Sequence, residues 1–186
     1  QQWLTDVPGD VPVGFVRAVR AYLPDIARAK EMVDQAKSDI CGQMTSVFTH
    51  RDVKPDNVLL TPASPMLVDW DGAGLDFAEW EVTRAALAFS RHGGGWDHRR
   101  FDRVVRTYQA ASGREICPLP ASFMGVLRHQ LGAAAFLLFR ALGHRPVSDA
   151  ERSAAYGHAL EFLAELRASL EQLPRWTGWL QAIARR

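Results

Sequence analysis

Acidic, basic and amide side chains are concentrated near the middle of the chain, in the segment His50-Arg51-Asp52-Val53-Lys54-Pro55-Asp56-Asn57. A second acidic segment, Leu67-Val68-Asp69-Trp70-Asp71-Gly72, follows it. An Asp and an Asn that lie five positions apart on a loop that turns back can present both side chains to one cleft. This set suits phosphoryl transfer to an alcohol, which needs a group that accepts the hydroxyl proton, oxygen ligands for a divalent metal and a neutralising cation.

Each of these requirements can be matched to a residue. Asp52 would accept the substrate proton, and Lys54 would direct a cation at the transferring phosphate. Asn57 and Asp69 would supply the hard oxygen ligands that Mg²⁺ prefers. The predicted catalytic residues are therefore Asp52 and Lys54, the predicted cofactor-binding residues are Lys54, Asn57 and Asp69, and the predicted metal ligands are Asn57 and Asp69.

The same residues also have structural interpretations. Any one of Asp52, Asn57 and Asp69 could be an ordinary turn residue, since Asp and Asn favour turns. It is their joint spacing that favours catalysis. Lys54 could instead be solvated, and Asp71 is either a second metal contact or a loop cap.

Short apolar runs on either side of these residues predict β-strands over 46–50, 58–61 and 66–70, and the turn 62–65 makes the last two a hairpin. Helical spacing of apolar residues dominates elsewhere. The predicted helices cover 12–22, 25–38, 77–91, 101–111, 120–142 and 148–170, and a last one starts at Pro174. Ser148 and Glu151 form a capping box at one of these starts. The sequence thus predicts a mostly α chain with a small β hairpin element.

Composition is ordinary for a globular domain of 186 residues, and a net charge of +1 gives no reason to expect nucleic acid as a partner. Cys41 and Cys117 lack the spacing of a disulfide framework or a zinc site, which favours a cytoplasmic location. The run Leu131–Phe139 is too short to cross a bilayer, so no membrane partner is expected. Residues 97–186 carry a net +5, which weighs mildly against a polycationic substrate.

The pattern His-x-Asp-x-x-x-x-Asn, followed by a hydrophobic residue and Asp69-Trp70-Asp71, resembles the aminoglycoside phosphotransferase-like branch of the protein-kinase-like fold. That family includes kinases for choline, homoserine and macrolides. The resemblance implies ATP or another nucleoside triphosphate, Mg²⁺ and a small-molecule hydroxyl acceptor. It also implies that His50 braces the loop and is not catalytic.

Two residues depart from the family pattern. Arg51 lies where these small-molecule kinases more often have Gly, and it could hold an acidic or phosphorylated partner or simply lie at the surface. Glu81 lies where the family has Asp, whose role there is to brace the catalytic loop.

The resemblance also implies a domain organisation. Residues 1–10 would be a linker on the hinge side, and 11–186 would form the C-terminal lobe. Within that lobe lie the catalytic loop 50–57, the metal-binding segment 67–72 and a helical acceptor-site region over 97–186. The 186 residues contain no Gly-rich loop with a following strand Lys, so the N-terminal nucleotide lobe is absent from this sequence. Gly93-Gly94-Gly95 is no substitute, because no Lys-Ser/Thr follows it.

Two other functions remain open. A degenerate kinase-like lobe could act as a binding or regulatory module, which the missing lobe favours and the intact Asp52, Asn57 and Asp69 oppose. A protein kinase is the weaker alternative, since the stretch between Asp69 and Asp76 is too short for a peptide-binding platform.

Overall fold

The computed structural model describes residues 11–40, 46–145 and 147–185, so the predicted linker 1–10 lies outside the described residues. The helices are α1 (Val13–Arg20), α2 (Leu23–Ile40), α3 (Ala78–Ser90), α4 (His98–Ser112), α5 (Met124–Ala141) and α6 (Asp149–Ala184). The strands are β1 (Ser46–Thr49), β2 (Val58–Leu60), β3 (Pro65–Leu67), β4 (Gly74–Phe77), β5 (Arg91–His92) and β6 (Gly95–Trp96). This confirms the prediction of a mostly α chain with a small β element.

The chain divides into two compact units. One comprises Gln1–Asp34 and Leu127–Gln172, and its core is built from apolar residues of α1, α5 and α6. Helix α1 buries Phe15 and Val19 in this core, which are four positions apart and therefore lie on one helix face. An ion pair between Arg167 and Asp25, with Nε and Oδ2 2.8 Å apart, adds a polar contact within this unit.

The other unit comprises Gln35–Val126 and Leu173–Arg186 and contains the strands. Strand β1 pairs antiparallel with β4, so that Thr49 lies opposite Gly74. Strands β2 and β3 form the predicted hairpin, with Val58 opposite Leu67. The loop 50–57 therefore begins at the end of β1. The segment after β3 leads to the start of β4, which lies beside the end of β1.

An aromatic cluster fills the core of this second unit. Trp80, Phe101, Phe123 and Trp176 are all fully buried. The ring centroids of Trp176 and Trp96 are 4.9 Å apart in an edge-to-face arrangement, and those of Trp176 and Phe123 are 5.9 Å apart. Trp176 is thus a core residue of the second unit.

Several element ends differ from the sequence prediction by a few residues, and at three places the difference goes beyond the position of an end. Phe77 was predicted to open a helix, but residues 74–77 pair with β1 and α3 begins at Ala78. Pro174 lies inside α6 instead of starting a new helix. A Pro in a helix interior costs about 3 kcal/mol, and the buried residues Leu173, Trp176 and Leu180 provide packing that offsets it. Gly93 and Gly94, which follow the predicted helix 77–91, form a two-residue turn between β5 and β6, both with positive φ.

Residues Pro120–Ala141 are long and apolar enough to span a membrane by length and composition alone. Half of the qualifying stretch is buried within the structure. The core helix of a water-soluble protein has the same properties.

Glu79 is a carboxylate buried near the start of α3, only 8% exposed, and its Oε2 has no hydrogen-bond partner among the described residues. Burial raises the pKa of Glu79, against smaller opposing effects from its own backbone and from Arg114. The native state then holds this proton more tightly than the unfolded chain does, so stability falls as pH rises through the raised pKa.

We therefore expect Glu79→Gln, which cannot titrate, to gain stability relative to wild type as pH rises from about 4 to 8, a range that begins near the ordinary Glu pKa. Urea unfolding midpoints at several pH values measure this, and Glu115→Gln on the exposed surface controls for the substitution itself. If the difference in urea unfolding midpoint between Glu79→Gln and wild type does not change with pH, the expected cost of charging Glu79 is contradicted.

Candidate active site

His50 is buried at the end of β1 and holds the start of the loop 50–57. The backbone N–H of Asp52 donates to His50 Nδ1 at 3.2 Å, so the neutral ring carries its proton on Nε2. Nε2 lies 2.8 Å from the carbonyl oxygen of Val68 and donates to it. The ring also packs edge-on against Trp70 at 4.6 Å between centroids. Both ring nitrogens are used in structural hydrogen bonds, which gives His50 a bracing role.

Asp52, Lys54 and Asn57 are in direct contact. The Asn57 amide nitrogen donates to the Asp52 backbone carbonyl at 2.8 Å and to its Oδ2 at 2.9 Å. Lys54 Nζ lies 2.7 Å from the same Oδ2. Because two acceptors fix the amide nitrogen of Asn57, its Oδ1 must point away from them. Asp52 is thus held by one amide and one ammonium group, and Asn57 keeps an oxygen for another ligand.

A short 3₁₀ turn, Pro55–Asn57, places Asn57. Pro55 occupies the first position, where its fixed φ and missing N–H suit a helical start. The N–H of Asn57 donates to the Lys54 carbonyl at 3.1 Å and closes the turn. Asn57 is the buried residue of this turn, whereas Asp56 is exposed.

Asp69 lies in the segment that joins β3 to β4. The N–H of Val68 donates to the Asn57 carbonyl at 2.9 Å, and Val68 and Trp70 both contact His50. Both neighbours of Asp69 are therefore tied to the loop 50–57. Asp69 itself has a left-handed backbone, φ 65°, and its side chain is exposed. Asp71 is also exposed, in a turn closed by a hydrogen bond from Ala73 N–H to the Trp70 carbonyl.

The carboxylate of Glu81, on α3, holds the backbone of the loop 50–57. Both of its carboxylate oxygens accept a hydrogen bond from the backbone N–H of Arg51, each at 3.0 Å. Burial raises the pKa of Glu81, while Arg84, the Arg51 N–H and His50 oppose that rise. Glu81 thus stabilises the backbone directly before Asp52.

Comparison with known proteins identifies the family of this chain. Residues 11–103 match the model of a family described as the phosphotransferase enzyme family, APH. The chain belongs to this family. The match includes all four predicted site residues, Asp52, Lys54, Asn57 and Asp69.

A solved structure shares the fold of this APH-family chain. It is a choline/ethanolamine kinase family protein from Mesorhizobium loti, with a TM-score of 0.50 and 19% sequence identity. The similarity covers 100% of this chain and 56% of that one, so this chain spans little more than half of its structural neighbour. No curated protein sequence matches the chain significantly.

The backbone at Arg51, one of the two departures from the APH family pattern, has a conformation that favours Gly. Arg51 has φ 65°, a conformation that suits Gly and is uncommon for other residues. A Gly at this position, as the resemblance leads one to expect, would adopt it without strain. Sequence reasoning left the role of Arg51 open and missed its contacts with Leu75 and Asp76 in β4. The available signal was an Arg at a position where the family more often has Gly.

Proposed function

We propose that this chain is the C-terminal lobe of a small-molecule kinase, which transfers the γ-phosphate of ATP or another nucleoside triphosphate to a hydroxyl group. Membership of the phosphotransferase family supports this at the level of reaction class. The observation that carries the proposal is the cluster in which Asn57 and Lys54 both contact the Asp52 carboxylate.

In this proposal each residue has a defined task. Asp52 orients the acceptor hydroxyl and takes its proton, because a carboxylate already fixed by Asn57 loses little freedom when it engages the substrate. Lys54 balances the charge of Asp52 before substrate binds and can turn its ammonium group toward the phosphate being transferred. Asn57 fixes the geometry of the base through its amide nitrogen.

The residues present fit a magnesium ion. Asn57 Oδ1 and the exposed Asp69 carboxylate are hard oxygen donors on two segments joined by the hydrogen bond from Val68 N–H to the Asn57 carbonyl. The described residues contain no cluster of three or more His, Cys, Asp or Glu side chains that could hold a metal without a substrate. Mg²⁺ characteristically binds through one or two protein oxygens together with substrate phosphates and water, and it would neutralise phosphate charge here.

Exposed apolar side chains near the site support the lobe assignment. Phe48 in β1 and Leu75 opposite it in β4 are each 68% exposed, and Leu60 in the β2–β3 hairpin is 84% exposed. Phe48 and Leu75 lie side by side in paired strands, and large apolar groups exposed next to each other mark a surface that another element covers. We infer that a nucleotide-binding lobe, supplied from outside these 186 residues, covers them.

The acceptor-site region is proposed to be the helical part over 97–186, and the preferred acceptor is neutral or anionic. This preference rests on the net charge of +5 in that part of the chain. The same proposal places the protein in the cytoplasm, with neither nucleic acid nor membrane as a partner.

The test uses a protein that carries both lobes and combines calorimetric titration of Mg-ATP with a labelled-phosphate transfer assay on hydroxyl compounds of the choline, homoserine, aminoglycoside and macrolide classes. We expect Mg²⁺-dependent transfer to one class and its loss in Asp69→Asn, which removes the metal-binding charge but keeps the size of the side chain. Asp56→Asn is the matched control, because it removes an exposed carboxylate of the same loop to which no role is assigned.

The competing function is a binding or regulatory module that has lost catalysis. The absence of a Gly-rich loop and strand Lys from the 186 residues is the observation that favours it. A protein that carries both lobes and still fails to bind Mg-ATP would favour the module and contradict the kinase. Binding together with transfer would exclude the module.

A further inference from the structure

Arg51 occupies a backbone conformation that most side chains avoid. Its φ of 65° brings Cβ close to the neighbouring carbonyl oxygen, a cost that Gly does not have. The loop nevertheless keeps this conformation, because both Glu81 oxygens hold the Arg51 N–H. A strained residue beside a candidate catalytic group persists only where other contacts fix it. The contacts of the Arg51 side chain therefore indicate what this residue contributes.

The guanidinium group of Arg51 extends to strand β4. Its Nη2 donates to the Leu75 carbonyl at 2.5 Å, and its Nε lies 3.8 Å from Asp76 Oδ2. Gly74 gives it room, because a Cβ at position 74 would come within 3.0 Å of Arg51 Cζ and Nη1. The side chain of residue 51 is therefore fitted to the first three residues of β4.

This contact completes the attachment of the segment that contains Asp69. Its beginning is tied to the loop through Val68, which bonds to Asn57 and His50. Its end enters β4, where the guanidinium of Arg51 holds Leu75. Asp69 has no hydrogen bond of its own to the loop among the described contacts, so its position depends on how firmly both ends of this segment are held.

We propose that Arg51 is a positioning residue that clamps β4 to the loop 50–57 and thereby sets the position of the Asp69 carboxylate relative to Asn57. The consequence for catalysis rests on the proposed function, whereas the clamp itself does not. Of the two roles that the sequence left open for Arg51, this selects an acidic partner within the chain, Asp76, over a surface role.

Three variants at position 51 separate the backbone from the side chain. Arg51→Gly suits the left-handed φ and removes the guanidinium. Arg51→Ala removes the guanidinium but keeps a Cβ in the strained conformation. Arg51→Lys keeps the positive charge but lacks the several N–H donors of the guanidinium. Hydrogen exchange of this chain should show faster amide exchange over 69–77 in all three, with β2 and β3 unchanged. Arg103→Ala, on the exposed surface of α4, is the control. Wild-type exchange in Arg51→Gly would overturn the clamp.

A double-mutant cycle with Gly74 tests the contact directly. A Cβ at position 74 would lie 3.0 Å from Arg51 Cζ and Nη1, so Gly74→Ala makes the guanidinium shift and weakens its contact with the Leu75 carbonyl. It should therefore also speed exchange over 69–77 when Arg51 is present. In the Arg51→Gly background the added methyl group meets no guanidinium, and the same substitution should have little further effect. Additive effects of the two substitutions would overturn the proposed contact. The cycle also controls for misfolding of Gly74→Ala, because in the double variant the added methyl group no longer meets the guanidinium of residue 51.

Activity supplies the remaining measurement. Supporting groups of metal ligands typically change metal affinity or activity by about 10–100-fold when removed. We expect Arg51→Gly to raise the Mg²⁺ concentration for half-maximal activity by about that factor, with a smaller change in kcat at saturating Mg²⁺. An unchanged Mg²⁺ requirement with reduced kcat would overturn the link to Asp69. A protein that carries both lobes and is inactive with Arg51 in place would instead refute the proposed function, while the exchange data would still decide the clamp.

Discussion

Replacing Asp52 with Ala should lower turnover by about 10²–10⁴-fold, the range that a positioned general base contributes. The Asp52 carboxylate is held by the Asn57 amide and the Lys54 ammonium, so its removal leaves both of these groups without the acceptor they share. The acceptor hydroxyl would then lose the group that orients it and takes its proton. The effect should appear in kcat, since nucleotide binding is assigned to other residues.

The loop itself provides the control for this experiment. Asp56 has the same side chain on the same loop but is exposed, and Asp56→Ala should keep wild-type turnover. Asp52→Asn adds a variant that keeps the size and one hydrogen bond to Asn57, and it should be nearly as inactive as Asp52→Ala. Unfolding midpoints of all three show whether the fold survives. Wild-type turnover in Asp52→Ala, with the fold intact, would refute Asp52 as the base.

The parts of this structure that could be predicted from sequence are those fixed by neighbouring residues. The start of α6 is one case: Ser148 N–H donates to Glu151 Oε2 at 2.9 Å and Glu151 N–H reaches Ser148 Oγ at 3.3 Å, as a capping box requires. The β2–β3 hairpin is another, because its strands are joined by a turn containing Pro62. The sequence also placed Asp52 and Asn57 at one cleft, since only a short loop separates them, but it did not predict the direct hydrogen bond between their side chains.

The parts that could not be predicted depend on residues far apart in the chain. Strand β4 exists because residues 74–77 pair with β1, which no local pattern indicates. The contacts of Arg51 with Leu75 and Glu81 also join residues far apart in the chain. The left-handed backbone of Arg51 is held by the contact with Glu81, and its one indication in the sequence was that the family more often has Gly at this position. Pro174 shows the reverse: a strong local signal for a helix start was overridden by packing of the residues around it.

The same packing predicts the largest change in stability, at Trp176. This side chain is fully buried between Trp96 and Phe123, so Trp176→Ala loses the transfer of a large ring and leaves a cavity in the core of its unit. Substitutions of this kind cost about 3–5 kcal/mol. Trp176→Phe should cost much less, because it keeps a ring for the edge-to-face contact with Trp96. It also removes the indole N–H, which is buried and has no hydrogen-bond partner in the part of the chain that the structure describes. Urea unfolding followed by circular dichroism measures both values. A Trp176→Ala protein with the wild-type midpoint would show that the aromatic cluster does not hold the second unit together.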